Sequence, residues 1–150
     1  RSQTVTGVQT CALPISEATA ESLPYPDGSL AGVLSVVTLC FLDEPRAAMQ
    51  ETARVLKPGG RFVVGFVPAE SPWGRYYREQ ARDGHPFYSV ARFYSCDDVK
   101  ELAAQAGLTY EGAASTLPAH PDEDVTAQPV ADELHPEWGF VAMSFRTPAR

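Results

Sequence analysis

The run Arg54–Gly60, Arg-Val-Leu-Lys-Pro-Gly-Gly, followed at once by the apolar stretch 61–67, restricts the fold of this chain more than any other segment. It joins a basic helix end, a proline that cannot continue a helix, two glycines that favour a turn, and a β-prone stretch. The run therefore predicts a helix that stops sharply and is followed by a buried strand.

Apolar residues upstream of this stop recur at helical spacing. They are Leu42, Met49, Ala53 and Leu56. One apolar stripe predicts an amphipathic helix, with Asp43 or Glu44 as its N-cap and Pro45 in its first turn, where the N–H group that proline lacks is not needed. The branched run 32–39 predicts another strand. Two nearly continuous apolar strands are typical of an α/β fold in which helices cover both faces of a parallel sheet.

A turn-like segment, Ala-Glu-Ser-Leu-Pro-Tyr-Pro-Asp-Gly-Ser at 20–29, precedes these elements. This segment is followed by a strand, a helix that begins with an acidic residue and proline, the Arg-Val-Leu-Lys-Pro-Gly-Gly run and a second strand. That order resembles the class I S-adenosylmethionine-dependent methyltransferases. Within them, it is similar to the subgroup of small-molecule type 11 enzymes, which includes those of ubiquinone biosynthesis. The resemblance covers most of residues 17–112. It implies the C-terminal portion of a Rossmann-like methyltransferase sheet, its fourth to seventh strands with flanking helices and an antiparallel last strand.

Each motif also has a purely structural interpretation. Residues 24–29 can be a simple turn and Lys57–Gly60 a simple helix stop, because both compositions are common at such places. Their combination and order favour the family.

The resemblance implies S-adenosylmethionine as cofactor, held by a glycine-rich turn after the first strand and an acidic residue after the second. No G-x-G sequence occurs in the 150 residues. We therefore expect an N-terminally truncated methyltransferase domain at 16–148 that is inactive alone. Residues 5–15 match a translation of a widely used sequencing adapter, and no initiator Met is present. Residues 1–15 are thus predicted to be non-native, with a genuine β-prone leader as the alternative.

Composition restricts the partners. The formal charge of −7 with no basic cluster argues against nucleic acid or an anionic membrane as the main partner, and no apolar stretch is long enough to span a bilayer. Cys40 and Cys96 lack metal-like spacing, so neither a zinc site nor a disulfide framework is predicted. We expect a cytoplasmic protein without a metal, and the oligomeric state stays open.

Two later segments differ from the rest. Residues 68–94 are rich in aromatic side chains. The resemblance implies that this insertion covers the active site, where aromatic walls suit a small-molecule acceptor. Docking of Tyr76, Tyr77, Phe87 and Phe93 onto the sheet is the alternative. Residues 117–136 are acidic and rich in proline, which predicts an exposed loop, between a strand at 108–116 and a last strand at 139–145.

Methyl transfer from a sulfonium donor needs mainly alignment, and needs a base only if the acceptor must lose a proton. His85 is the first candidate for that base, with Tyr88 and Tyr94 as supporting hydrogen-bonding groups. A structural role for a lone histidine beside proline is the alternative. His120 and His135 lie in the acidic loop and are expected to be solvated.

The resemblance further implies residues at the cofactor rim. Thr19 stands where the family usually has an aspartate that reaches the adenine, with Ala20 beside it. Ser35, Val36 and Cys40 match positions against the methionine portion of the cofactor.

Two functions follow. The first is transfer of a methyl group from S-adenosylmethionine to a small-molecule acceptor. The second is a non-catalytic α/β interaction or regulatory module derived from such an enzyme. A nicotinamide-dependent oxidoreductase is disfavoured because the dinucleotide fingerprint and a Tyr-x-x-x-Lys pair are absent from the sequence.

Overall fold

The computed structural model of this protein describes residues 15–123 and 127–149. In chain order the elements are β1 (Leu30–Val36), α1 (Pro45–Val55), β2 (Leu56–Phe66), α2 (Pro72–Arg82), α3 (Cys96–Gln105), β3 (Thr109–Thr116), β4 (Val130–Ala131) and β5 (Phe140–Arg146), with short 3₁₀ helices at Leu39–Phe41 and Tyr88–Val90. The predicted non-native segment 1–15 lies outside these residues except for Ile15.

The strands form one mixed sheet in the order β1-β2-β5-β3-β4. Strands β1 and β2 run parallel, as their apolar runs predicted. Strand β5 is antiparallel to both β2 and β3, and β4 is antiparallel to β3. Most pairings are therefore antiparallel, and the expected parallel sheet is limited to β1 and β2 in the described part of the chain.

The helix, turn and strand predicted at residues 54–67 are present with shifted boundaries. Helix α1 ends at Val55, and Leu56, predicted in the helix, already pairs with Leu30. The pairing with β1 then skips from Leu56 to Arg61. Residues 57–60 therefore interrupt the ladder, and Gly59 adopts a φ of 70°, a value at which a side chain would be strained.

Strand β1 differs from the prediction in length and burial. It ends at Val36, before the predicted limit at Leu39, and Val37 takes a φ of 50°. Leu34 is 70% exposed and Val36 is 50% exposed. The reason is the face on which they lie, because neighbouring strand residues point to opposite faces and Val33, beside Leu34, packs against the core on the other face. Strand β1 also lies at the edge of the described sheet and has one neighbour instead of two.

One face of the sheet carries the core. Met49 of α1 and Val99 of α3 pack in a single cluster with Val64, Met143 and Phe145 of the sheet. In β5, buried residues alternate with partly exposed ones, as expected for a strand covered on one side. The expectation that helices bury both faces is therefore wrong for the strands described.

Local signals in the second half of the chain are confirmed. Ser95 caps α3, accepting a hydrogen bond from the Asp98 backbone N–H while the Asp98 carboxylate accepts one from the Ser95 backbone N–H. Gly107 follows the helix at a φ of 80°. The acidic loop contains the two-residue strand β4, which its composition did not predict.

Among the described residues, no helix combines the length and the apolar character that crossing a bilayer requires.

Candidate functional site

A cavity of about 280 Å³ opens at the carboxyl ends of β1 and β2. Val37 and Leu39 after β1, and Phe66 and Val67 at the end of β2, line one side. Leu117 lies at the end of β3, which runs in the same direction, and also reaches the cavity. Ligands of open α/β sheets bind at this end of the strands.

Half of the residues that line the cavity are aromatic. They are Phe41, Phe66, Trp73, Tyr77, Tyr88, Phe93, Tyr94 and Phe140. Tyr77 stacks on Tyr88 with ring centroids 4.5 Å apart, and Trp73 lies 5.9 Å from Tyr77. The five aromatic residues from Trp73 to Tyr94 belong to the predicted insertion 68–94. Phe87, which the alternative interpretation docks onto the sheet, is 69% exposed.

Helix α2 is held in place by its first turn. Ser71 is fully buried; its Oγ accepts a hydrogen bond from the Gly74 N–H at 3.0 Å and donates one to the Pro68 carbonyl at 2.7 Å. A Cβ on Gly74 would lie 2.2 Å from that carbonyl oxygen, so the helix approaches its own preceding loop closely. This packing sets the direction in which α2 presents Trp73 and Tyr77.

Trp73 connects the insertion to the loop before β5. Its Nε1 donates a hydrogen bond to the Ala119 carbonyl at 2.8 Å, and its ring covers Gly139, where a Cβ would lie 2.3 Å from Trp73 Cδ1. Leu117, which lines the same cavity, has a φ of 63° and accepts a hydrogen bond from the Gly139 N–H at 2.7 Å. Three distant chain segments thus close one wall.

The structure separates the candidate catalytic residues. Tyr88 and Tyr94 line the cavity, whereas His85 does not. The His85 ring stacks on Tyr88 at 4.3 Å, and its Nδ1 is buried without a hydrogen-bond partner among the described residues. His85 therefore lies behind Tyr88 with respect to the cavity, and its predicted catalytic role stays a prediction.

The two histidines of the acidic loop differ from one another. The His120 side chain is 46% exposed, in line with the expected solvation. His135 instead stacks on Trp138 at 4.3 Å with nearly parallel rings, and its Nδ1 lies 3.1 Å from Glu137 Oε1. Stacking on a neighbouring indole, which sequence position alone does not show, explains the partial burial of His135.

The candidate cofactor residues do not converge. Cys40 lines the aromatic cavity, while Ala20 and Ser35 line a second cavity of about 190 Å³ between β1 and α1. Val36 and Thr19 are exposed. Neighbouring strand residues point to opposite faces, so the side chains of Ser35 and Val36 do not lie on one side of the sheet. The contacts of these residues with S-adenosylmethionine stay a prediction.

Burial raises the pKa of two polar side chains of the aromatic cavity. It raises the pKa of Tyr77, with a further rise from the neighbouring Tyr88 hydroxyl, and it raises the pKa of the Cys40 thiol. At neutral pH these side chains are therefore hydrogen-bond donors rather than bases. Arg92 is the single charged residue in the lining described here, which includes neither a carboxylate nor an imidazole.

Sequence reasoning did not single out Trp73 or Arg92. Their position within the aromatic insertion could have marked both as candidates for the cavity wall. The contacts of Trp73 with Ala119 and Gly139 could not be predicted, because they join residues that are far apart in the sequence. For metals, no group of three or more His, Cys, Asp or Glu suited to an ion lies within residues 15–123 and 127–149.

Comparison with known proteins points to one family. A family profile described as "Methyltransferase domain" matches residues 2–64. An uncharacterised protein of Mycobacterium tuberculosis is 35% identical over 133 residues, which is 87% of this chain and 46% of that protein. The ubiquinone/menaquinone biosynthesis C-methyltransferase UbiE of Chromobacterium violaceum is 32% identical over 121 residues, 80% of this chain and 45% of that protein. The chain spans about half the length of these curated relatives.

A solved structure is similar to this chain in both sequence and fold. The crystal structure of an S-adenosylmethionine-dependent methyltransferase from Thermotoga maritima, described as a "possible histamine N-methyltransferase", is 38% identical, with a TM-score of 0.79. The match covers 86% of this chain and 61% of that one. Sequence order, sheet and relatives together support one assignment, a class I S-adenosylmethionine-dependent methyltransferase of the type 11 kind.

Proposed function

We propose that the chain is the acceptor-binding part of an enzyme that transfers a methyl group from S-adenosylmethionine to a small molecule. The observation that supports this most is the aromatic cavity at the carboxyl ends of β1 and β2. Its size is near the lower end for small-molecule sites, and its largely apolar walls with a few hydrogen-bonding groups are typical of them. Cys40, a predicted rim residue, borders this cavity.

We further propose that β1, β2, β3 and β5 correspond to the fourth to seventh strands of the family's sheet, and that the glycine-rich turn lies outside the 150-residue sequence. The edge position of β1, whose outer side has no partner strand among the described residues, supports a missing neighbour there. On this proposal residues 16–148 are inactive alone. The adapter origin of residues 1–15 is proposed with it, although the family profile begins at residue 2.

Within the cavity, Tyr88 is the proposed contact to the acceptor. Its ring is held between Tyr77 and His85, at centroid distances of 4.5 and 4.3 Å, so few rotamers remain open to it. His85 then acts as a positioning residue that fixes Tyr88. Orientation of the acceptor is what methyl transfer demands most of the protein, and the hydroxyls of Tyr88 and Tyr94 are suited to it.

The non-catalytic module is the second candidate. The observation that favours it is that the predicted cofactor residues are spread over two cavities, Ala20 and Ser35 on one and Cys40 on the other. A module of this kind would retain the fold without binding S-adenosylmethionine.

We also propose a cytoplasmic location, with neither nucleic acid nor membrane as partner. The acidic charge of −7 supports this, as do the unpaired thiols of Cys40 and Cys96 in the described residues.

Calorimetry with S-adenosylmethionine tests the proposal. The 150-residue chain and a version extended by the uninterrupted upstream reading frame are titrated in parallel, and transfer of a labelled methyl group to a panel of aromatic acceptors is then measured. We expect binding and transfer by the extended protein only. Tight binding by the 150-residue chain would contradict the missing-turn proposal, and an extended protein that neither binds nor transfers would support the non-catalytic module.

A further inference from the structure

Arg92 lies at the wall of the aromatic cavity and is anchored to the segment after β1. Its backbone N–H donates a hydrogen bond to the Cys40 carbonyl at 2.8 Å, and its guanidinium Nη1 donates one to the Asp43 carbonyl at 3.3 Å. These contacts join the end of the insertion to the opposite rim of the cavity. They hold the guanidinium near the opening although the side chain is exposed.

The guanidinium retains hydrogen-bonding capacity. It has five N–H donors, and the carbonyl of Asp43 uses one of them. Within the described ranges 15–123 and 127–149, the arginines that form ion pairs are Arg54, Arg61 and Arg146. No carboxylate in these ranges lies within ion-pair distance of Arg92. Its charge is therefore not neutralised by a neighbouring side chain.

The cavity walls contain no negative charge, among the residues described, to balance a cationic ligand. An ammonium group there would lose hydration without gaining a carboxylate partner, and it would lie close to a like charge. An anionic group at the Arg92 end would instead gain a charge-assisted hydrogen bond, which is about twice as strong as a neutral one.

The remaining walls are largely apolar and rigid. Tyr77 stacks on Tyr88 with ring planes that differ by 30°, Phe93 lies 6.3 Å from Tyr77 at an interplanar angle of 18°, and His85 stacks on Tyr88. These rings hold one another in place, and an apolar aromatic wall of this kind suits an aromatic ligand.

We propose that the acceptor is a largely apolar aromatic molecule that carries a negative charge, as a carboxylate or phenolate, and that Arg92 recognises this charge. This inference rests on the proposed function for the acceptor role of the cavity. It also distinguishes the chain from an enzyme that takes a cationic amine.

Fluorescence quenching tests the inference without any methyl transfer. The chain has two tryptophans; Trp73 lines the cavity, whereas Trp138 is outside the lining and stacks on His135. The variant Trp138→Phe therefore reports from Trp73 alone. Three flat quenchers of matched shape are titrated: 4-nitrobenzoate, the neutral 4-nitrobenzamide and the cationic 4-nitrobenzylamine.

We expect 4-nitrobenzoate to bind about tenfold more tightly than the amide, and the amine to bind most weakly. In the Trp138→Phe background, Arg92→Gln should weaken nitrobenzoate binding about tenfold and change amide binding less than about twofold. Arg92→Lys, which keeps the charge, should keep part of the preference. Arg82→Gln, which removes a cation from α2 outside the cavity lining, is the matched control and should have no effect. Circular dichroism verifies folding of each variant.

The outcomes separate the two proposals. Equal binding of the three quenchers, or a preference for the amine, overturns the role of Arg92 while leaving the cavity as the acceptor site. A nitrobenzoate preference that survives Arg92→Gln also overturns it. Absence of quenching by all three compounds overturns both the inference and the acceptor site on which the proposed function depends.

Discussion

The guanidinium of Arg54 contacts the carboxylate of Asp27 at 2.6 Å and so connects the two sequence motifs of this chain. The same guanidinium donates to both oxygens of Glu51 and to the Leu23 carbonyl at 3.3 Å. Glu51 in turn accepts a hydrogen bond from the Leu23 N–H at 2.8 Å. The Pro-Asp-Gly-Ser turn is thus tied to the last turn of α1, which gives a structural reason for the two motifs to occur together.

Loss of Arg54 should destabilise the fold more than loss of Asp27. The variant Arg54→Leu leaves three acceptors without their donor, whereas Asp27→Asn removes a carboxylate whose side chain is 83% exposed and therefore well screened. Urea unfolding should show a larger drop in midpoint for Arg54→Leu. The exposed Arg46 on the same helix is the control, and equal effects of Arg54→Leu and Arg46→Leu would contradict the network.

Glu51 should make stability depend on acidic pH. Hydrogen bonds from Arg54 and from the Leu23 backbone lower the pKa of Glu51 from 4.5 to about 2. Because the folded-state pKa is depressed, the stabilisation is present above pH 4.5 and is lost as pH falls from there towards 2. The free energy of unfolding of the wild type should approach that of Glu51→Gln across this window, and a constant difference between the two would show that the network contributes nothing pH-dependent.

Gly139→Ala should be destabilising through a single contact. The added methyl group would lie 2.3 Å from the Trp73 ring, and overpacking of this kind costs about 1–3 kcal/mol. Denaturant unfolding measures the loss, and in the Trp138→Phe background Trp73 fluorescence reports displacement of the ring. Gly112→Ala is the matched control, since a methyl group there would meet no atom of the described residues within 4 Å beyond its own chain neighbours. Combining Gly139→Ala with Trp73→Leu should recover part of the loss; strictly additive effects would argue against the clash.

The edge of β1 should govern self-association. Leu34 is 70% exposed on a strand whose outer hydrogen-bonding groups have no partner strand in the described sheet, and such edges promote aggregation. Leu34→Lys should lower the concentration-dependent light scattering of the chain with little change in unfolding midpoint. Val90→Lys alters another exposed apolar residue, at 68%, away from the edge. Equal benefit from both variants would indicate a general charge effect instead.

Local features of the fold were predictable because they depend on residues a few positions apart. Pro45 at the start of α1, the Ser95–Asp98 capping box and the glycine after α3 are all present as expected. Each reflects a conformational preference or a hydrogen bond within one turn of chain.

The site required tertiary structure because its parts come from distant segments. Trp73 meets Ala119 and Gly139, and Arg92 meets Cys40 and Asp43. Conversely, Ser35 and Cys40 are near in sequence but lie on different cavities. Strand alternation and the turn at Val37 separate them.

The sequence by itself therefore determined the family resemblance, the order of the elements and the aromatic character of the insertion, because motif order, periodicity and composition are written along the chain. Only the tertiary structure decided that β1 is an exposed edge, that helices cover one face of the described sheet, and that Arg92 is the charge at the cavity. These properties depend on which segments meet across the fold, and side-chain contacts between residues tens of positions apart leave no local pattern.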